Sequence, residues 1–404
     1  MMKRACLGLI GVLLASGCYD STDLGADGST PPVRPGTPDT GPTRPPPPPP
    51  PPPPPVRRAI DLLAMVDNSN SMTEEQASFA LALPEIVAAL ADGDLDRDGV
   101  PDVEPVESLT FGVVTSDMGT GGFTVPTCLR SDLGDDGTLR TQGATEVPGC
   151  MATYPSFLEF RPERGRDPAE FGQDARCVAR VGTGGCGFEQ QLEAALKALS
   201  PSAPTPGTAP GYAPPVFFRG SLGHGDGDNA GFLGDDSVLA VVLLTDEEDC
   251  SAIDPELFNP SSATYGATDL NLRCFAHADR ALHPIRRYVD GLLQLRPLPG
   301  RLVFVPIAGV PADLAPAPGA PVDWEALVGP SGARDPRMEE RVDPSSPNRL
   351  IPSCSSPGRG QAFPPIRILR VARDLESRGA HVRVGSICQD ELASVILDGL
   401  FSAL

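Results

Sequence analysis

Residues 59–72 read AIDLLAMVDNSNSM. The first eight form a short apolar run of the kind that makes a buried strand. Asp67, Ser69 and Ser71 follow as D-x-S-x-S, and residues 73–90 then carry Phe79, Leu83, Ile86, Val87 and Leu90 at helical spacing. One carboxylate and two hydroxyls therefore sit on a turn between the carboxyl end of a strand and a helix. In open α/β sheets that turn is where ligands bind. Oxygen-only donors of this type suit a hard cation such as Mg²⁺ or Mn²⁺, which takes octahedral geometry and keeps some waters. Asp and Ser also cap helices well, so the turn acquires meaning only from what accompanies it.

Outward from this stretch, apolar runs alternate with helical patterns. Residues 109–115, 238–245 (VLAVVLLT), 301–308 and 381–387 read as strands. Residues 188–199 (FEQQLEAALKAL), 278–295, 365–378 and 391–404 read as helices. The continuously apolar VLAVVLLT has the pattern of a strand buried on both sheet faces. The alternation implies an α/β fold: a mostly parallel sheet with helices on both sides. Roughly 118–174, 201–236 and 311–360 read as loop insertions, and no internal repeat is visible.

Two further pieces stand in order behind the first turn. Val181-Gly182-Thr183 precedes the helix at 188–199, and Asp246 closes VLAVVLLT. Asp67, Ser69, Ser71, Thr183 and Asp246 together resemble the metal-ion-dependent adhesion site of von Willebrand factor type A domains, over most of residues 59–404. The resemblance implies a Rossmann-like sheet in which Ser69 and Ser71 hold Mg²⁺ or Mn²⁺ directly. It implies Thr183 as a direct or water-mediated ligand, and Asp67 and Asp246 as mostly water-mediated ones. It also implies a sixth coordination position open to an acidic residue of a partner protein. Asn70 stands where Gly is frequent in the motif, and Asn tolerates tight turns. Gly182, Gly184 and Gly187 also spell G-x-G-x-x-G, but the acidic residue about twenty positions further on is missing, which argues against a dinucleotide site.

A second cation is expected at Asp94-Leu-Asp96-Arg-Asp98-Gly-Val100-Pro-Asp102. Counting from Asp94, carboxylates fall at positions 1, 3, 5 and 9, with Gly99 at 6 and the Val100 carbonyl at 7, as in calcium loops. Pro105 occupies position 12, so the bidentate Glu of an EF-hand is absent. The loop is more similar to the calcium repeats of thrombospondin-type extracellular proteins, and the expectation is a structural Ca²⁺. A solvated acidic turn is the plainer alternative. Asp226, Asp228, Asp235 and Asp236 form another acidic stretch without a ligand pattern.

Hydrophobic residues make up 40% of the 404, enough for a sizeable core, while 48 Pro and 43 Gly fit long irregular insertions. The net charge of −21 argues against nucleic acid and anionic membrane surfaces as partners. Met1 to Arg4 is a short positive segment, and residues 5–17 are an apolar run too short to span a bilayer. It ends in Leu14-Ala-Ser-Gly-Cys18, which resembles a bacterial lipoprotein cleavage motif with its Leu one place early. The reading is a signal peptide at 1–17 and lipidation of Cys18, so that the membrane is met only through the lipid. Tyr19 occupies the place of the Asp that retains such proteins in the inner membrane, so outer-membrane attachment is expected. Residues 18–56 then form an anchor and linker closing in eleven prolines (45–55), a polyproline II spacer of roughly 34 Å. The folded domain is expected over 57–404.

With Cys6 and Cys18 set aside, eight of ten cysteines remain, an even number that fits four disulfides in an oxidising compartment. Sequence proximity favours Cys128–Cys150, Cys177–Cys186, Cys250–Cys274 and Cys354–Cys388. Paired, Cys186 and Cys250 would stiffen the loops of Thr183 and Asp246. No G-x-S-x-G elbow, H-E-x-x-H or phosphate loop is present, so no catalytic residue is assigned. Glu247, Glu248 and Asp249 read as a solvated run that tunes metal affinity, with acid/base chemistry as the alternative. The expected function is a non-enzymatic cell-envelope lipoprotein acting as a metal-dependent protein-binding or adhesion module. A structural or assembly lipoprotein, or a metal-dependent hydrolase, is the alternative. The sequence leaves the oligomeric state open.

Overall fold

The structure, a computed structural model, describes residues 58–95, 97–357 and 360–404. The expected leader, Cys18 and linker lie outside them. Strands β1 (Ala59–Val66), β2 (Ser108–Thr115), β3 (Leu158–Phe160), β4 (Val238–Leu244) and β5 (Leu302–Ala308) supply most of one sheet. Two hairpins, β6 (Val342–Asp343) with β7 (Ser346–Leu350) and β8 (Cys354–Ser356) with β9 (Gly360–Ala362), stand apart from it. The short β10 (His381–Val382) and β11 (Gly385–Ser386) both pair with β5, so the expected strand at 381–387 is divided. The sheet order is β10-β5-β4-β1-β2-β3, parallel throughout except for the edge strand β3.

The order follows from burial. Strands β1 and β4 are buried on both faces, with Asp61 the one charged residue in them, and take the centre, where helices cover both sides. Alternate residues of β1 divide between two cores. Ile60, Leu62, Ala64 and Val66 face α1 (Thr73–Asp92), α2 (Pro168–Ala179) and the C-terminal helix. Leu63 and Met65 face α3 (Gln191–Leu199) and the helices that follow it. The short α4 (Arg273–Ala276) and α5 (Ala278–Ala281) lead to α6 (Arg286–Leu295), α7 (Trp324–Val328), α8 (Ile366–Ser377) and α9 (Ala393–Phe401). The chain runs outward from β1 to β3, crosses back to β4 on the far side of β1, and continues to β5. The topological switch point therefore lies between β1 and β4.

Two expected elements depart from the reading. The helix at 278–295 is broken: Leu282 is extended (φ −100°, ψ 152°) between α5 and α6. Pro284 explains the break, because it lacks an N–H and disfavours helix at His283. The supposed loop at 118–174 contains β3 and the start of α2. Gly172 lets α2 approach α1 closely, since a Cβ there would stand 2.8 Å from Pro84 Cα. Four disulfides form, suiting an oxidising, extracytoplasmic compartment. Among the described residues no helix is long and apolar enough to cross a membrane.

Cys250–Cys274 and Cys354–Cys388 pair as expected. Cys128–Cys150 and Cys177–Cys186 do not; the pairs are Cys128–Cys186 and Cys150–Cys177. The helical α2 fixes Cys177 beside the loop of Cys150, where Cys177 O accepts the Ala144 N–H at 3.0 Å. Cys186 lies beyond the end of α2, in a separate apolar cluster with Cys128, Phe188 and Phe258. Proximity in sequence missed this because the helix separates two neighbouring cysteines in space. Peptide mapping without reduction is expected to recover the 128–186 and 150–177 links; a 177–186 peptide would overturn the assignment.

Candidate metal centre

Register brings the site together. Val66 and Leu244 are paired residues, so β1 and β4 end level and Asp67 lies beside Thr245 and Asp246. The Asp67 carboxylate is wholly buried and collects donors from three loops. Oδ1 accepts the Ser69 N–H at 2.8 Å and the Ser116 hydroxyl at 3.1 Å. Oδ2 accepts the Thr245 hydroxyl at 2.6 Å. Burial raises the Asp67 pKa, and these hydrogen bonds oppose the rise. Asp67 thus shapes the site while its oxygens are engaged by protein donors. Ser69 Oγ and Ser71 Oγ lie 3.3 Å apart. Adjacent ligands of an octahedral ion with bonds near 2.1 Å are separated by about 3 Å, so the two hydroxyls fit neighbouring positions.

Thr183 sits half-buried in a loop clipped to this turn at two points. Gln76 of α1 donates to Asp67 O at 2.8 Å and Gly182 O at 2.9 Å, and its Oε1 accepts the Gly182 N–H. Gly185 N donates to Asn68 O at 2.8 Å. Gly182 has a φ of 80°, which lets the chain turn sharply there. Cys186, in the same loop, is tied to Cys128.

Asp246 is 3% exposed, and its Oδ1 has no hydrogen-bond partner among the described residues. A hydrogen bond from Ser71 reaches the carboxylate, while burial and the Asp67 charge push its pKa up to about 7. Glu189 and Glu247 are raised well above the usual glutamate range, by burial first and then by the carboxylates of Asp67 and Asp246. Among the described residues no three His, Cys, Asp or Glu side chains group to hold an ion by themselves. The converging donors are hydroxyls with carboxylates, and the orphaned Asp246 oxygen fits a hard cation.

The rest of the acidic run does other work. Asp249 is fully buried rather than solvated. It accepts the Leu192 N–H in the first turn of α3 at 3.1 Å and pairs with Arg367 Nε at 3.1 Å. Glu248 Oε2 accepts the Arg367 N–H at the start of α8, at 2.7 Å. These two carboxylates cap helices across the fold. In the expected calcium loop, Asp94 accepts N–H groups of Asp98 and Gly99, Asp98 that of Val100, and Asp102 that of Leu95. Asp96 lies outside the described residues. Sequence reading missed Gln76, Ser116, Glu189 and Thr245. Ser116 and Thr245 end apolar strands as Asp67 and Asp246 do, a signal present but too common to use.

For chain stripped of metal, the pH dependence has a definite sign. Asp246 titrates near 7 when folded and near 3.8 in its ordinary state, so the folded form binds more protons between these values. Its stabilising contribution is complete below about pH 4 and is lost as pH rises through about 7, at about 1.4 kcal/mol per pH unit. With EDTA present, Tm is expected to fall between about pH 4 and pH 7, and Asp246→Asn to flatten the fall; an unchanged slope in that variant would contradict the assignment. Comparison with family models, with curated proteins and with solved structures finds no match.

Proposed function

We propose that this chain is a cell-envelope lipoprotein, anchored through Cys18, whose α/β domain is a von Willebrand factor A-like, non-enzymatic binding module. A Mg²⁺ or Mn²⁺ at Ser69, Ser71 and Thr183, supported by Asp67 and Asp246, would bridge to an acidic residue of a partner protein. The observation that carries this reading is the Asp246 Oδ1 atom, buried without a hydrogen-bond partner among the described residues, beside the Ser71 hydroxyl at the switch point. An unsatisfied buried acceptor costs about 1–3 kcal/mol, and a bound cation removes that cost. Ca²⁺ in the loop of Asp94, Asp96, Asp98, Val100 and Asp102 is proposed as a structural ion.

Calorimetric titration of Mn²⁺ into the whole chain, stripped and then saturated with Ca²⁺, tests the reading. One ion is expected for the wild type and none for Asp67→Ala or Asp246→Ala. Thr245→Val removes a bond to Asp67 and is expected to weaken binding roughly 10–100-fold. Equal Mn²⁺ binding by all four proteins would sink the proposal.

A further inference from the structure

Beside Ser69 and Ser71 lies a cleft of about 350 Å³. Two segments wall it: Asn271 and Phe275 flank Cys274 of the Cys250–Cys274 disulfide, while Glu340 and Leu350 come from the β6–β7 region. Its size admits a side chain rather than a flat protein face. Glu189 and Glu247 line it, beside Asp67 and Asp246. Glu189 is 7% exposed, and its own backbone N–H reaches its carboxylate.

We infer that this cleft binds a basic side chain, arginine or lysine, of the partner protein on Glu189 and Glu247. The inference deepens the proposed function and rests on it for the metal-bound carboxylate of the same partner. Among the described residues, Asp67, Asp246, Glu189 and Glu247 lie in no ion pair, and neighbouring carboxylates act on Asp246, Glu189 and Glu247. Glu248 and Glu340 differ, being offset by Arg367 and by Arg370 with Arg334. Arg349 lines the cleft but pairs with Asp343 at 3.3 Å.

With all four carboxylates ionised, one divalent ion neutralises two of them, and a partner carboxylate on that ion restores one charge. Like charges held close together in a buried site repel strongly. A cationic companion on the same partner offsets that repulsion and favours the ionised forms of Glu189 and Glu247. A guanidinium spreads its donors over several carboxylates, and the half-buried Phe275 and Phe363 offer faces to it and to its apolar stem.

The test measures binding of N-acetyl-arginine amide and its uncharged isostere N-acetyl-citrulline amide to the whole Mg²⁺-saturated chain by ligand-observed NMR. The arginine compound is expected to bind at least ten-fold more tightly. Glu189→Gln with Glu247→Gln is expected to erase that preference, with circular dichroism confirming the fold; should the pair misfold, each single substitution is read instead. Equal binding of the two compounds, or an arginine preference that survives in folded variants, overturns the inference. A parallel Mn²⁺ titration separates the two readings. Arginine preference without Mn²⁺ binding removes the metal bridge alone, and Mn²⁺ binding without arginine preference removes this inference alone.

Discussion

The buried carboxylate of Asp67 is the constraint on which the upper end of this molecule depends. A charge at zero exposure is tolerated only if donors surround it. Here they arrive from Ser69, Ser116 and Thr245, on the loops after β1, β2 and β4. Each loop is thereby held by the same group, and the ends of three neighbouring strands become one unit. Loss of a single donor leaves a buried acceptor short, at about 1–3 kcal/mol, and frees a loop that carries the site. Stability and site geometry are thus coupled through one side chain.

A second layer of polar bonds extends that unit to the helices. Gln76 joins α1 to the Thr183 loop, while Gln191 of α3 donates to Thr245 at 2.9 Å. Asp249 and Glu248 supply acceptors to the starts of α3 and α8, where amide groups otherwise lack partners. The residues directly after Asp246 therefore orient the helices around the site. Farther out, the fold relies on covalent links. The cluster around Phe188, Phe258 and Tyr265 is small, and Cys128–Cys186 and Cys250–Cys274 both pass through it. Disulfides secure loops whose own apolar burial is slight.

Those insertions also change the character of the site. In an open α/β sheet the switch point is a shallow crevice. Here the chain around Phe275 and the β6–β7 region rise beside it and enclose a cleft rich in acids. Phe363 N donates to Asp246 O at 2.8 Å, so the segment just after β9 is tied directly to the residue with the orphaned oxygen. The enclosure favours a ligand that enters as a projecting group.

The sequence by itself determined the buried strands, because VLAVVLLT is almost wholly apolar and AIDLLAMV carries one charged residue, Asp61. It also determined that Asp67 and Asp246 follow those strands, since chain order places them at the strand ends. Helix spacing was legible wherever burial was one-sided, as in α1 and α3. The break at Pro284 was legible in principle but was outweighed by the apolar periodicity around it. Only the tertiary structure decided the cysteine pairing, because α2 carries Cys177 and Cys186 apart despite their closeness in sequence. Only it revealed Gln76, Ser116, Glu189 and Thr245, residues without a distinctive spacing whose roles arise from contacts between distant loops. It also decided which acids of the 246–249 run meet basic or backbone partners and which remain unpaired, since local sequence records charge but not the direction from which a partner arrives.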